Sequence, residues 1–321
     1  SIRGVAGLRD VRTGWKVTAG RVDTQADRRR GWSLRSIPLV CLLALLPLAA
    51  TVGPATSVAG AAAPIGPFVA LGDSYTAGPL IPNLIEDSGP CGRSDHDYPA
   101  LIAFAKKVPV FHDVSCGGAS TDSMWTAQFP RTARQLDAVR SDSWVVSIGV
   151  GANDIGLMGL ATTCSALGLV DSIGSPCKDY YTAGGVDQNA VAIAATALRI
   201  GDILATIRRH APRARVLVVG YPDIFPQTGP GCWPVVPIAP GDLPYLRSVE
   251  LALNAMLATQ AANNGATFVD TYSSSIGHDV CKEPGTRWVE WLVVGSAAAP
   301  LHPNILAMQN DALQVLAALG R

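Results

Sequence analysis

Short apolar runs alternate with longer amphipathic stretches along most of the chain. The apolar runs predict five buried strands, at residues 67–72, 108–115, 144–150, 214–220 and 266–270. Between them, apolar residues recur at helical spacing in 193–207 and 246–256, and 304–319 forms a last helix-like stretch. Strands that alternate with helices predict a parallel sheet covered on both faces. We therefore expect an α/β fold, a single-domain three-layer α/β/α sandwich, over residues 62–321.

Two segments interrupt this alternation. Residues 155–187 and 221–243 are predicted to be long loops, and both carry cysteines. Loops of this length in a compact domain are usually functional or disordered. If disulfides hold them, we expect them to form walls of a substrate site.

The N-terminal part has the pattern of a secretory signal. Residues 1–27 form a polar extension, and 28–61 are predicted to be the signal peptide. A cluster of arginines precedes an apolar core at 37–50, and Ala59-Gly60-Ala61 is a cleavage candidate. The core is short for a membrane span, although a retained anchor is an alternative. We expect a secreted or cell-envelope protein with no stable membrane span after signal cleavage.

Charge and cysteine content narrow the function classes. The chain has 25 basic and 25 acidic residues, of which nine and three fall in residues 1–61, so the remainder carries a net charge of about −6. An acidic body argues against a nucleic-acid partner. Six cysteines lie outside the signal, which favours disulfides in an exported chain. No metal-ligand spacing is present, so we expect neither a metal nor a cofactor.

Ser74 is the first candidate for chemistry. The apolar run 68–72 breaks at Gly72-Asp73-Ser74, which predicts a sharp turn from a strand into a helix. Ligands of open α/β sheets bind at the carboxyl ends of strands, where a serine nucleophile would be exposed. The alternative is a serine that only caps the helix. Asp73 is expected to support the turn rather than act as a catalytic acid.

Three further segments join this motif. Ordered along the chain, the four are Gly72-Asp73-Ser74, Ser115-Cys116-Gly117-Gly118-Ala119, Gly151-Ala152-Asn153-Asp154 and Pro300-Leu301-His302-Pro303-Asn304. Together they resemble the four sequence blocks of the SGNH (GDSL) hydrolases, in particular the secreted actinobacterial esterases and lipases. The resemblance implies a flavodoxin-like fold and a serine esterase that works through an acyl-enzyme intermediate.

The resemblance also implies roles for individual residues. Ser74 would be the nucleophile and His302 its general base, with His278 as the alternative base. The oxyanion hole would consist of the backbone N–H groups of Ser74 and Gly118 and the side-chain amide of Asn153. For Asn153, the alternative is a plain turn residue. The family also implies sequential disulfides, Cys91–Cys116, Cys164–Cys177 and Cys232–Cys281.

The third member of a catalytic triad is missing from its usual place. The common family pattern is Asp-x-x-His, but Ala299 stands three residues before His302. We therefore predict a Ser–His dyad in which the backbone carbonyl of Ala299 orients the imidazole. A distant acid, Asp270 or Asp279, is the alternative.

Three functions fit these residues. The first is an exported esterase or lipase that acts on small-molecule or lipid esters as a monomer. The second is an O-acetyl esterase acting on polysaccharide, for which exposed Trp233, Trp288 or Trp291 near the site would argue. The third is a non-catalytic cell-surface binding protein with the same fold.

Overall fold

Five parallel strands form the centre of the molecule. The computed structural model describes residues 65–320, and the signal and Cys41 lie outside them. The strands are β1 (Phe68–Gly72), β2 (Phe111–Asp113), β3 (Val145–Gly149), β4 (Arg215–Val219) and β5 (Thr267–Val269). Their order in the sheet is β2-β1-β3-β4-β5. All five predicted strands are present, with β2 shorter than expected.

Helices cover both faces of this sheet. They are α1 (Ser74–Ala77), α2 (Tyr98–Ala105), α3 (Leu157–Val170), α4 (Pro176–Tyr181), α5 (Gln188–His210), α6 (Leu243–Asn263), α7 (Tyr272–Ser275) and α8 (Ile305–Ala318). Side chains alternate across each strand, so Val146 belongs to the core shared with α3, α5 and α6. Its neighbour Val145 belongs to the core shared with α2 and α8. The predicted three-layer α/β/α architecture is confirmed.

One of the two predicted loops is wrong. Most of 155–187 is helical, in α3 and α4, and Cys164 of α3 is joined to Cys177 of α4. The α3 sequence is apolar on nearly all sides and contains Gly159 and Gly168, so it lacks the polar stripe that marks a surface helix. The second segment, 221–243, is irregular up to a short 3-10 turn at Pro240–Asp242, as predicted.

A single helix within residues 65–320, Ala183–His210, is long and apolar enough by composition to cross a membrane. It includes α5, which places Ile200, Ile203 and Leu204 in the protein core. One face of the helix therefore packs into the core, while residues such as Val191 and Leu198 are exposed.

The topology fixes where a ligand can bind. From β1 the chain passes to β2 on one side and then returns across β1 to β3 on the other. Gly72 and Gly149, the last residues of β1 and β3, are register partners, so the turns that follow them start at the same level. Ligands of open α/β sheets bind at such a switch point, beyond the carboxyl ends of the strands.

Candidate active site

Ser74 is the first residue of α1 and is separated from the end of β1 by Asp73 alone. The turn needs a glycine, because a Cβ at Gly72 would lie 2.2 Å from Thr76 Oγ1 and 2.7 Å from the carbonyl oxygen of Gly149. Asp73 caps the helix and accepts a hydrogen bond from the backbone N–H of Tyr75 at 2.8 Å. The sequence thus forces the sharp strand-to-helix turn that presents the serine hydroxyl.

His302 contacts that hydroxyl. Its Nε2 atom lies 2.7 Å from Ser74 Oγ, although the two residues are 228 positions apart. The other ring nitrogen, Nδ1, lies 2.7 Å from the carbonyl oxygen of Pro300. A carbonyl can only accept, so Nδ1 carries the proton and Nε2 is left free to accept from the serine.

The predicted role of Ala299 is wrong, because the carbonyl beside Nδ1 belongs to Pro300. The Ala299 carbonyl instead accepts from the backbone N–H of His302 at 3.2 Å, which closes the turn. Leu301, between Pro300 and His302, has a left-handed φ of 63°. Only the carbonyl of Pro300 is left to face the ring.

No carboxylate contacts His302 within the described part of the chain. Asp270 accepts from the backbone N–H of Ser273 at 2.9 Å, and Asp279 accepts from the backbone N–H of Cys281 at 2.9 Å. Burial lowers the pKa of His302 below its ordinary value of 6.5, and the hydrogen bond to Pro300 opposes this only in part. The neutral imidazole, which is the form that can act as a base, is therefore favoured.

The other histidines have surroundings that do not suit a base. His278 stacks on Trp288 with ring centroids 3.7 Å apart, and its Nδ1 lies 2.6 Å from the carbonyl oxygen of Thr286. His210 ends α5, His112 lies in β2, and His96 pairs with its neighbour Asp95.

Three groups near the serine can donate to an anion. The backbone N–H groups of Ser74 and Gly118 have no acceptor among residues 65–320. Gly118 has a φ of 74°, a conformation that favours glycine. One amide hydrogen of Asn153 is held by the carbonyl oxygen of Ala119 at 2.8 Å, which leaves the second hydrogen of Nδ2 free.

Long-range contacts fix the Gly118 turn. Cys116 is joined to Cys91, and the N–H of Gly117 donates to the Cys91 carbonyl at 2.9 Å. Asp154, next to Asn153, accepts from the Thr121 backbone N–H at 3.0 Å and from the Thr121 hydroxyl. The Gly118 turn and the Asn153 turn are thereby held together.

Sequence reasoning missed Tyr221, which follows β4. Its hydroxyl donates to Asp73 Oδ2 at 2.6 Å and accepts from the backbone N–H of Ala152 at 3.0 Å. Burial raises the pKa of Asp73 to about 7, against the hydrogen bonds from Tyr221 and Tyr75 that favour its charged form. Asp73 thus supports the turn, as expected. Its partner Tyr221 belongs to no recognisable sequence motif.

A buried ion pair that the sequence also did not reveal supports the His302 turn. Glu290 pairs with Arg287 at 2.6 Å and accepts from the side-chain amide of Asn304 at 3.0 Å. The backbone N–H of Glu290 donates to the carbonyl oxygen of His302 at 2.9 Å. Although burial opposes ionisation, donors from Gly295 and its neighbours lower the pKa of Glu290 to about 2. Its carboxylate thus holds Arg287 and Asn304, while its backbone N–H contacts the His302 turn.

Two cavities lie near these residues. A narrow one beside Ser74 is lined by Tyr75, Asn153, Leu157 and Met158. A larger one of about 170 Å³ adjoins the Cys91–Cys116 bridge, but Ser74, Asn153 and His302 do not line it. The chemistry therefore locates the site at the smaller cavity, which Ser74 and Asn153 line and where His302 contacts the Ser74 hydroxyl. That combination suits acyl transfer.

The remaining predicted pairing is also present, with Cys232 joined to Cys281. This bridge ties the irregular segment after β4 to the segment after β5. No group of three His, Cys, Asp or Glu side chains within 65–320 could hold a metal ion.

Curated relatives share most of this chain. It is 38% identical to lipase 2 of Streptomyces coelicolor over 289 residues, which cover 88% of this chain and 95% of the relative. It is 30% identical to an esterase of Streptomyces scabiei, with 83% and 89% of the two chains covered.

Solved structures agree with these relatives. The phospholipase A1 of Streptomyces albidoflavus superposes with a TM-score of 0.65 at 26% identity, covering 80% of this chain and 99% of that one. The extracellular lipase of Streptomyces rimosus gives a TM-score of 0.64 at 28% identity, covering 79% and 99%. Residues 70–309 match the GDSL-like lipase/acylhydrolase family. The chain belongs to that family and is a carboxylic ester hydrolase.

Proposed function

We propose that the protein is an exported serine esterase that hydrolyses acyl esters with a Ser74–His302 dyad. The observation that carries this proposal is the pair of 2.7 Å contacts on the two sides of the imidazole, Ser74 Oγ to Nε2 and Nδ1 to the Pro300 carbonyl. The first contact gives the serine proton an acceptor. The second fixes the tautomer in which that acceptor is free.

Acylation follows from this arrangement. Ser74 Oγ attacks the ester carbonyl carbon while its proton passes to Nε2 of His302. The oxygen of the tetrahedral intermediate receives hydrogen bonds from the N–H groups of Ser74 and Gly118 and from the Asn153 amide. When the intermediate collapses, the bond to the leaving oxygen breaks and His302 returns its proton to the departing alcohol.

Deacylation repeats these steps with water. His302 takes a proton from a water molecule, which attacks the acyl-enzyme carbonyl, and then returns the proton to Ser74 as the carboxylic acid leaves. The imidazolium that forms twice per cycle is stabilised by the dipole of the Pro300 carbonyl. Among residues 65–320, no carboxylate contributes a full negative charge at Nδ1.

We infer that the substrates are esters of acyl chains longer than acetyl, rather than acetylated sugars. Leu157 and Met158 line the cavity beside Ser74, which gives it an apolar wall. The tryptophans that could form a sugar platform are mostly engaged elsewhere, since Trp288 stacks on His278 and Trp291 is only 2% exposed. Of the three tryptophans considered, Trp233 alone is well exposed, while Trp125 and Trp144 are exposed at other places in the described chain. The relatives described as lipases and as a phospholipase A1 agree with this preference.

Export and a monomeric state complete the proposal. Three disulfides within one chain suit an oxidising compartment. All the proposed site groups come from a single chain, so no second copy is needed to complete the site.

The test compares substrates and variants. Wild type should hydrolyse p-nitrophenyl esters, with a higher kcat/KM for a medium-length acyl chain than for acetate, and release little acetate from acetylated xylan. Ser74→Ala should be inactive, while the matched control Ser141→Ala, at an exposed serine, should equal wild type. Full activity in Ser74→Ala would refute the proposal. Preferential release of acetate from the glycan would favour the polysaccharide esterase instead.

A further inference from the structure

We propose that Tyr75 and Tyr221 are positioning residues. Together they fix the relative positions of the three turns that carry Ser74, Asn153 and His302. The inference rests on the proposed Ser–His esterase mechanism and adds a function for two side chains outside it. The two rings meet edge to face, with centroids 5.3 Å apart and an interplanar angle of 71°. The Tyr75 hydroxyl contacts the histidine turn, and the Tyr221 hydroxyl contacts the serine and asparagine turns.

Tyr75 acts on the histidine turn. Its hydroxyl donates to the carbonyl oxygen of Leu301 at 2.8 Å, across 226 residues of sequence. Its ring lies beside the imidazole of His302, with centroids 5.5 Å apart. Leu301 has a φ of 63°, which costs a branched residue free energy unless its surroundings hold it. The hydrogen bond from the Tyr75 hydroxyl stabilises this backbone conformation at Leu301, the residue before His302.

Tyr221 acts on the serine and asparagine turns together. Its hydroxyl donates to Asp73, the residue before the nucleophile, and accepts from the N–H of Ala152, the residue before Asn153. The backbone of Tyr221 is itself fixed by two hydrogen bonds with the side chain of Asn254 in α6, at 2.8 and 3.0 Å. One hydroxyl therefore sets the spacing between the nucleophile and an oxyanion donor.

Both hydrogen bonds of the Tyr221 hydroxyl have fixed directions. Ala152 can only donate to it, so the hydroxyl proton goes to Asp73 Oδ2. Burial raises the pKa of Tyr221 well above its ordinary value, so the proton stays on the phenol. Removal of the hydroxyl would leave a buried carboxylate oxygen without a donor and a backbone N–H without an acceptor.

Tyr98 provides a matched control. It is 1% exposed, like Tyr221, but it belongs to the core on the opposite face of the sheet. Its hydroxyl makes a 3.4 Å contact to Ser147 in β3 and also lies near Thr76 in α1, but it contacts neither Asp73, Ala152 nor Leu301. Loss of this hydroxyl tests what a buried tyrosine contributes to folding alone.

The experiment measures kcat and KM for Tyr75→Phe, Tyr221→Phe and Tyr98→Phe on one p-nitrophenyl ester. Active sites are counted by titration with a serine-reactive phosphonate, and assays are run well below each variant's Tm. We expect kcat to fall about 10- to 100-fold in the first two variants, because small displacements of reacting groups have effects of this size. KM should change less than about two-fold, since each phenylalanine keeps the ring. Tyr98→Phe should keep the wild-type kcat, even if its Tm falls.

Three results would overturn the inference: wild-type kcat in both Tyr75→Phe and Tyr221→Phe, a loss that appears in KM alone, or an equal kcat loss in Tyr98→Phe. If Tyr221→Phe does not fold, Asp73→Asn/Tyr221→Phe removes the unpaired charge and is compared with Asp73→Asn alone. A further fall in kcat supports the inference and equal values contradict it. An active Ser74→Ala would refute the mechanism itself, whereas an inactive Ser74→Ala with fully active tyrosine variants would refute only this inference.

Discussion

The imidazole of His302 is held by the backbone carbonyl of Pro300, 2.7 Å from Nδ1. In a charged triad that position belongs to a carboxylate, which both fixes the tautomer and stabilises the imidazolium. The Pro300 carbonyl also fixes the tautomer, but it offers the imidazolium a dipole instead of a full negative charge. The base therefore depends on the geometry of its own turn, which Tyr75 and Glu290 support from two sides.

A dyad predicts that no single carboxylate is required beside the base. Asp270→Asn and Asp279→Asn should keep kcat within a few-fold of wild type, because both side chains are committed to local backbone contacts. His302→Ala should lose several orders of magnitude. The acid of a charged triad is worth about 10⁴ in kcat, so steady-state kinetics separates the two cases. A loss of that size in either aspartate variant, with the fold retained by circular dichroism, would mean that a triad operates.

The pH dependence of kcat/KM should reflect the buried base. Burial lowers the pKa of His302 below 6.5, and only the neutral ring can accept the serine proton. Activity should therefore persist below pH 6.5 and disappear as the pH falls through the lowered pKa. A pH–rate profile of wild type measures this limb. Asp73, whose pKa burial raises to about 7, is the neighbour that could produce a similar limb.

The control for that assignment is Asp73→Asn, which should lower the rate but leave the acid limb in place. A limb above pH 6.5 in wild type, or its disappearance in Asp73→Asn, would contradict the assignment to His302.

Two of the disulfides should have similar effects on stability but different effects on kcat. Cys91–Cys116 adjoins the Gly118 turn, whereas Cys164–Cys177 joins α3 to α4. Replacing either pair by alanines should lower the free energy of unfolding by roughly 2–4 kcal/mol. Only Cys91→Ala/Cys116→Ala should also lower kcat, because its bridge positions an oxyanion donor. Urea unfolding and kinetics of the two double variants measure this difference, and equal kcat losses would be inconsistent with it.

The pairing itself can be checked on the protein purified without reducing agent. Mass spectrometry of a non-reduced digest should yield the sequential bridges and no free thiol among these six cysteines. Crossed pairing would contradict the structure.

The sheet and the contact between Ser74 and His302 were predictable because both elements have local signals. Apolar runs that end at Gly72 and Gly149 define strand ends, and His302 stands between two prolines in a recognisable block. The α3 helix was missed because it is apolar on nearly all sides, so periodicity does not separate it from a loop or a buried strand.

Contacts between distant residues were beyond sequence reasoning. Tyr221 lies 148 residues from Asp73, and no motif marks the pair. The contact of His302 with Pro300 rather than Ala299 belongs to a turn in which Leu301 has a left-handed φ, and leucine gives no signal for that conformation. Such features emerge only when the turns assemble.

The central claim is that Ser74 is a nucleophile activated by His302. A serine-reactive phosphonate followed by peptide mapping tests it most directly. The account predicts one labelled residue, Ser74, in wild type, slow labelling in His302→Ala and none in Ser74→Ala. Labelling of a different serine, or labelling of Ser74 at the wild-type rate without His302, would contradict it.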